Sequence, residues 1–257
     1  YEIMPSLVGS EMCIRDRANT VPDLITEEIV HVKGHPKRLV VFLHGYIDSS
    51  EATDKSIAPL IERLDDVAVH VPQSPFTCEI HPNKRQWYSM HRFDPNDDRK
   101  TVPTLEECVA YYDRMSPGYR EAFDYINPYI DRCLDEYQLE DRDLYLCGFS
   151  QGAMLAIYIS LMRERKIGGC ISFSGIFAPS RYLLAHANSA PDMLLIHGND
   201  DNLVRFEALD FSERNLRRLG CNVQTYVIEG GRHRVTEDAL DAAAAYLCSR
   251  FKETAAE

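Results

Sequence analysis

The sequence predicts an α/β protein: a mostly parallel central sheet with helices on both faces. Three observations carry this. From about Leu24 onward, short β-branched runs alternate with longer helical ones. The runs LVVFLHG, DLYLCG, GCISFS and MLLIHG are nearly continuous in apolar residues, as expected of strands covered on both sides. The longest helical stretch repeats its apolar residues with a 3.6-residue period.

Taken in order, the first strand is expected at residues 25–32, and the second, at 38–44, is the LVVFLHG run. A helix over 54–64 leads to a strand at 67–71. Residues 72–103 are the least regular part, rich in Pro, His, Asp and Asn. Helices follow at 104–112 and 117–137; the second carries Tyr119, Ala122, Phe123, Ile126, Ile130, Cys133, Leu134 and Tyr137 on one stripe. Pro128 lies inside it and removes one backbone hydrogen bond, so a kink near Asp124 is expected. DLYLCG gives a strand at 143–147, followed by a helix over 151–165. GCISFS and MLLIHG give strands at 169–173 and 193–197. A helix over 203–219, a strand at 222–228 and a helix over 236–251 complete the pattern. No repeat or linker divides it, so residues 18–257 read as one domain.

The first seventeen residues, YEIMPSLVGSEMCIRDR, fit neither this pattern nor a signal peptide. The nucleotides GGC TCG GAG ATG TGT ATA AGA GAC AG, from a common transposase-based sequencing adapter, translate as Gly-Ser-Glu-Met-Cys-Ile-Arg-Asp. That is Gly9 to Asp16 in order. Residues 1–17 are therefore read as a disordered library artefact on a metagenomic gene.

Bulk properties exclude several function classes. With 257 residues, 45% of them hydrophobic, the chain can bury a full core. A formal net charge of −12 leaves no electrostatic footprint for nucleic acid, and the same charge disfavours anionic membranes. No apolar run is long enough to span a bilayer, so no stable membrane anchoring is expected. The eight cysteines are scattered without a C-x-x-C pair, which reads as reduced thiols and a cytoplasmic location. The nine histidines form no metal motif, so neither a metal nor an organic cofactor is expected.

The chemistry starts at Cys147–Met154, CGFSQGAM. Gly148 to Gly152 is a G-x-S-x-G match, which about one chain in ten of this length shows by chance. Context sharpens it. The match ends a buried strand and opens an apolar helix, the placement a nucleophile elbow requires. Small flanking residues permit the tight turn, and the helix N-terminus brings free N–H groups to Ser150.

A serine hydroxyl needs a base, and the base needs an orienting acid, here expected in the order Ser, Asp, His beyond successive strand ends. The final strand leads to EGGRH, which makes His233 the candidate base. The strand before it leads to Asn199-Asp200-Asp201-Asn202. Asp201 is the candidate acid, with Asp200 a competitor that spacing leaves open. His44 and His197 read as loop braces at strand ends, while His31, His35, His70, His81, His91 and His186 occupy no plausible triad position. Two oxyanion donors are expected from backbone N–H groups, those of Gln151 and of Tyr46 in HGYIDSS.

With these pieces assembled, the chain resembles the phospholipase/carboxylesterase family of α/β-hydrolases, which includes bacterial carboxylesterases and acyl-protein thioesterases. FLHGYIDS, GFSQGAM, SFSGIFAP, HGNDDNLV and EGGRH carry the resemblance, in order and over most of the chain. It implies an α/β-hydrolase fold, favours Asp201 over Asp200, and assigns an oxyanion donor to Tyr46, where leucine is more usual. QWY at Gln86 to Tyr88 resembles the segment whose aromatics line the family's acyl pocket. Phe76, Trp87, Tyr88, Met90 and Val204 are the expected pocket residues. Asn202 stands where proline is common, and Ser89 where aspartate is frequent. Within residues 81–118, the part from 91 to 118 is longer than the family's usual connection, read either as part of a cap or as an extra surface helix.

The expected activity is hydrolysis of short to medium acyl or aromatic carboxylic esters through a Ser–His–Asp triad and an acyl-enzyme. Thioesterase, lysophospholipase, peptidase or dienelactone-hydrolase action would use the same groups. A catalytically silent binding protein is the non-enzyme alternative. The expected partner is a small-molecule ester, and a homodimer is left open.

Overall fold

A computed structural model describes residues 23–96 and 104–253. The stretch read as an adapter artefact, residues 1–17 with Cys13, lies outside the described residues, as do residues 97–103 of the extended connection. The strands are β1 (Glu28–Lys33), β2 (Arg38–Leu43), β3 (Val67–Pro72), β4 (Phe76–Thr77), β5 (Arg85–Gln86), β6 (Leu144–Phe149), β7 (Gly169–Phe173), β8 (Met193–Gly198) and β9 (Val223–Ile228). The helices are α1 (Ser50–Glu62), α2 (Leu105–Asp113), α3 (Ser116–Tyr137), α4 (Gln151–Met162), α5 (Arg181–His186), α6 (Glu207–Arg218) and α7 (Glu237–Glu253).

Seven strands form the central sheet in the order β1-β3-β2-β6-β7-β8-β9, parallel throughout except for the antiparallel edge strand β1. The predicted α/β class is the one found. Strand alternation divides the core into two layers. Leu39, Val41 and Leu43 of β2 enter one layer with α3 and α4, while Val40 and Phe42 enter the other with α1 and α7. Helix α4 is buried at all twelve positions, which its apolar sequence permits and its place over the sheet requires.

Several boundaries differ from expectation for local reasons. Helix α1 starts at Ser50 because the Ser49 hydroxyl accepts from the Ala52 N–H and caps it. Helix α4 stops at Met162, where Arg163 turns extended and its guanidinium bonds Asp141, Asn127 and Asp131. Helix α6 begins only at Glu207, since the N–H groups of Leu203 and Val204 are bound to a side chain instead. Helix α3 runs through Pro128 from Ser116 to Tyr137. The two-residue strands β4 and β5, and short α5, carry too few residues for a periodic signal.

All seven cysteines among the described residues are free, six of them buried. Among the described residues, no helix is long and apolar enough to cross a membrane.

Candidate active site

Strand β6 delivers Ser150 to the start of α4 by a sharp turn. Its backbone has φ 53° and ψ −115°, a conformation costly for any residue with a Cβ. The turn is held by the Ser150 N–H donating to Phe173 O at 2.9 Å, and by Met154 N–H closing the first helical turn on Ser150 O at 3.0 Å. Side chains are excluded on both sides. A Cβ on Gly148 would lie 2.3 Å from Gly152 O, and one on Gly152 would lie 2.1 Å from Leu43 O. The glycines thus serve close backbone approach, while Ser150 itself carries the strained torsion.

Loops beyond β8 and β9 bring two further groups to this turn. His233 Nε2 lies 2.8 Å from Ser150 Oγ, and its Nδ1 lies 2.7 Å from Asp201 Oδ2. A carboxylate only accepts, so Nδ1–H donates to Asp201 and Nε2 is left to accept the serine O–H. The other Asp201 oxygen accepts the N–H groups of Leu203 and Val204 at 2.9 and 3.0 Å. Burial by itself would raise the Asp201 pKa. The hydrogen bond and charge of His233, followed by the charge of His197, outweigh it and hold the carboxyl below its ordinary value. Asp200 points outward, exposed beside Arg232 at 3.4 Å. Spacing left two carboxylates open, and the structure brings Asp201 to His233.

The other strand-end histidines have fixed structural partners. His197 Nε2 donates to Val204 O at 2.9 Å, bracing the loop that carries Asp201, and burial lowers its pKa. His44 Nδ1 donates to Gly45 O at 2.8 Å while Nε2 accepts from Ser74 N–H at 3.2 Å, which defines a neutral ring. Burial pushes its pKa down to about 4.

Gln151 opens α4, and a helix's first N–H has no intrahelical acceptor. Its side chain has a second use that the sequence did not reveal. Gln151 Oε1 accepts from Trp87 N–H at 2.9 Å and Nε2 donates to Tyr88 O at 3.2 Å, clamping that segment beside the elbow. Tyr46 lies on the loop after β2, where the β-branched Ile47 is held at φ 60°. Ile47 N–H donates to Arg85 O at 3.1 Å, and Arg85 N–H to Asp48 O at 2.8 Å, so the β4–β5 hairpin fixes this loop. The Tyr46 hydroxyl donates to Glu79 at 3.1 Å.

Tyr46, Ser150, Gln151 and His233 surround a cleft of about 30 Å³, closed by Tyr88, Met90, Tyr112, Met154 and Leu203. Of the expected pocket residues, Tyr88 and Met90 are on its walls, and three are not. Trp87 is fully buried, stacked on His44 with its indole N–H donating to His44 O at 2.8 Å. Val204 is turned into the core by the same bonds that fix Asp201 and His197. Phe76 sits on the outer hairpin, 44% exposed, with its ring edge-on to Tyr125. In their place stand Tyr112, Met154 and Leu203. Met154 lies one helical turn past Ser150, a position that could have been read from the elbow. Tyr112 comes from α2 in the extended connection, whose capping box at Thr104 and Glu107 was the available signal.

One cluster with metal-ligand chemistry occurs among the described residues, at Glu28, His70 and Cys133 under α3. Its atoms bond one another and Tyr129, and it does not line the cleft.

A serine hydroxyl bonded to an imidazole that is anchored on a buried carboxylate is equipped for attack on an acyl carbonyl. Comparisons with known proteins agree with the fold that holds it. A probable carboxylesterase of rice (Oryza sativa subsp. japonica) is 24% identical over 229 residues, covering 84% of this chain and 79% of its own. An acyl-protein thioesterase 1 of Aspergillus fumigatus is 23% identical, covering 73% of this chain and 76% of its own. Among solved structures, that of esterase PE8 superposes with a TM-score of 0.74 at 27% identity, over 87% of this chain and 97% of its own. SOBER1 of Arabidopsis thaliana, at 22% identity, shares the fold with a TM-score of 0.68 over 83% of this chain and 99% of its own. The model of one family matches residues 25–249, a span that contains the elbow and both downstream loops. The chain therefore belongs to the phospholipase/carboxylesterase family of α/β-hydrolases.

Proposed function

We propose that the protein is a serine hydrolase that cleaves carboxylic esters of short acids through an acyl-enzyme. The observation that carries this reading is the unbroken chain from Ser150 through His233 to Asp201, with contacts of 2.8 and 2.7 Å. Ser150 Oγ attacks the ester carbonyl as His233 Nε2 takes its proton, while Asp201 stabilises the imidazolium. The N–H groups of Tyr46 and Gln151 hold the oxyanion, each contributing about 10²- to 10³-fold in rate. His233 then protonates the departing alcohol. A water enters by the reverse route, releases the acid and restores Ser150.

The cleft supports the short-acyl assignment, because Tyr112, Met154 and Leu203 leave about 30 Å³ beside Ser150, room for a small acyl group. The relatives named acyl-protein thioesterases favour a second reading on the same groups, cleavage of thioesters. The six buried free thiols fit a reducing compartment, and the cytoplasm is the proposed location.

Measuring kcat/KM for p-nitrophenyl esters of increasing acyl length, beside matched thioesters, tests the assignment. We expect a maximum at acetyl or propionyl and a fall of about tenfold or more by octanoyl. A rate that climbs with chain length contradicts the short-acyl reading, and a consistent preference for thioesters replaces ester cleavage with thioester cleavage.

A further inference from the structure

His233 lines two cavities. The cleft above Ser150 encloses about 30 Å³. The second, between the start of α1 and the loop after β9, encloses about 190 Å³. Room for substrate is thus unequal on the two sides of one imidazole.

The two walls differ in which polar groups they carry. In the cleft these are the reacting groups themselves, Ser150, Gln151 and His233, set among Tyr88, Met90, Met154 and Leu203. The larger cavity places Asp48, Thr53, Ser56 and Arg234 beside Phe42, Ile57, Phe149 and Val235. The Asp48 carboxylate is held by the Ser49 N–H at 2.8 Å and the Thr53 hydroxyl at 3.1 Å, one bond to each oxygen. Each oxygen keeps a further lone pair for a ligand. Arg234 is exposed and supplies donors only. An acceptor and a donor set facing one small space match a group that both gives and takes hydrogen bonds, which is what hydroxyls do.

The chemistry assigns the two spaces. In acyl transfer the acyl carbon binds the serine and the oxyanion donors, and the histidine hands its proton to the leaving oxygen. The acyl group therefore belongs in the small cleft with Ser150, Tyr46 and Gln151. The alcohol belongs on the His233 side. We propose that the cavity formed by Asp48, Thr53, Ser56 and Arg234 binds the alcohol part of the ester, and that the substrates are short-acyl esters of small polyhydroxy alcohols, from glycerol to a monosaccharide in size. The inference rests on the esterase reading above and adds the identity of the leaving group.

The test compares alcohols at a constant acyl group. Values of kcat and KM are measured for glyceryl monoacetate, a monoacetylated glucose and ethyl acetate, on wild type, Ser56→Trp and Arg234→Ala. Ser56 is exposed on α1 and its hydroxyl bonds the Ala52 carbonyl one turn back, so the new ring fills the cavity without entering the core. Wild type should favour the polyol acetates over ethyl acetate by about tenfold in kcat/KM. Ser56→Trp should erase that preference, mainly through KM, while ethyl acetate changes by less than about twofold. Arg234→Ala, which adds no bulk, should lower the preference by about threefold. Ethyl acetate and polyol acetates falling together, or neither responding, overturns the inference and leaves the esterase reading standing. Wild type inert toward all three esters overturns both.

Discussion

His233 and His70 each place Nδ1 2.7 Å from a carboxylate oxygen, of Asp201 and Glu28 respectively. Both carboxyls are held below their ordinary pKa; burial raises each, and hydrogen bonds, led by that from the histidine, outweigh it. The two sites differ at the second ring nitrogen. His233 Nε2 meets Ser150 Oγ in a strained turn that opens on a cleft. His70 Nε2 meets the Tyr137 hydroxyl at 2.9 Å, with Tyr129 and Cys133 closing the remaining sides. The same imidazole–carboxylate bond is thus a structural rivet under α3 and a candidate proton carrier at the elbow. A histidine–carboxylate pair becomes chemistry only where its free nitrogen faces a nucleophile that substrate can reach.

The sharpest break between the two sites comes from removing each ring. His233→Ala should lower kcat by about 10⁶-fold. His70→Gln should leave kcat/KM within about threefold while lowering stability in urea by about 1–3 kcal/mol, because buried partners lose a bond. An activity loss in His70→Gln comparable to that in His233→Ala would erase the distinction. The carboxylates rank next. Asp201→Asn should cost about 10⁴-fold in kcat by favouring the wrong tautomer, whereas Glu28→Gln should be close to silent in the same assay. Asp200→Asn, on an exposed side chain, should stay within about twofold in activity. If Asp200→Asn loses more than Asp201→Asn, the acid has been misassigned.

A smaller effect links the two pairs through pH. A carboxyl whose folded pKa lies below its unfolded value contributes stability that is present above the ordinary carboxylate range, near about 4, and is lost as pH falls through the folded value. Glu28 and Asp201 both contribute in this direction. His44, pushed down to about 4 by burial, works the same way higher up: the unfolded chain takes its proton first, so stability falls between about pH 6.5 and pH 4. Urea melts at pH 7, 5 and 3 should therefore show two successive losses for wild type. Glu28→Gln should be less stable than wild type at pH 7 and converge on it by pH 3. A gap between them that is independent of pH would remove Glu28 from the linkage.

Much of this was legible in the chain because β/α alternation writes each loop's position into the sequence. Ser150 and Asp201 each follow an apolar strand and His233 follows the final, mixed one, so their order and spacing could be read without coordinates. Choosing between Asp200 and Asp201 needed either the family resemblance or the backbone, since only the N–H groups of Leu203 and Val204 turn one of them inward. The pocket was legible in composition but not in direction. Trp87 was the obvious wall residue, yet the clamp from Gln151 and the stack on His44 turn it beneath the site. The helix carrying Tyr112 was legible, but not its place in the cleft, which depends on how α2 packs, a contact distant in sequence. The His70–Glu28 pair was hidden for the same reason: its partners are 42 residues apart on antiparallel strands.

In the proposed reaction, Ser150 is a nucleophile because His233 activates it. A fluorophosphonate probe, which phosphonylates activated serines, tests this directly on wild type, Ser150→Ala, His233→Ala and His70→Gln. Wild type and His70→Gln should be labelled at similar rates, with no labelling of Ser150→Ala and a loss of orders of magnitude on His233→Ala. Equal labelling of wild type and Ser150→Ala, or undiminished labelling of His233→Ala, would contradict that activation.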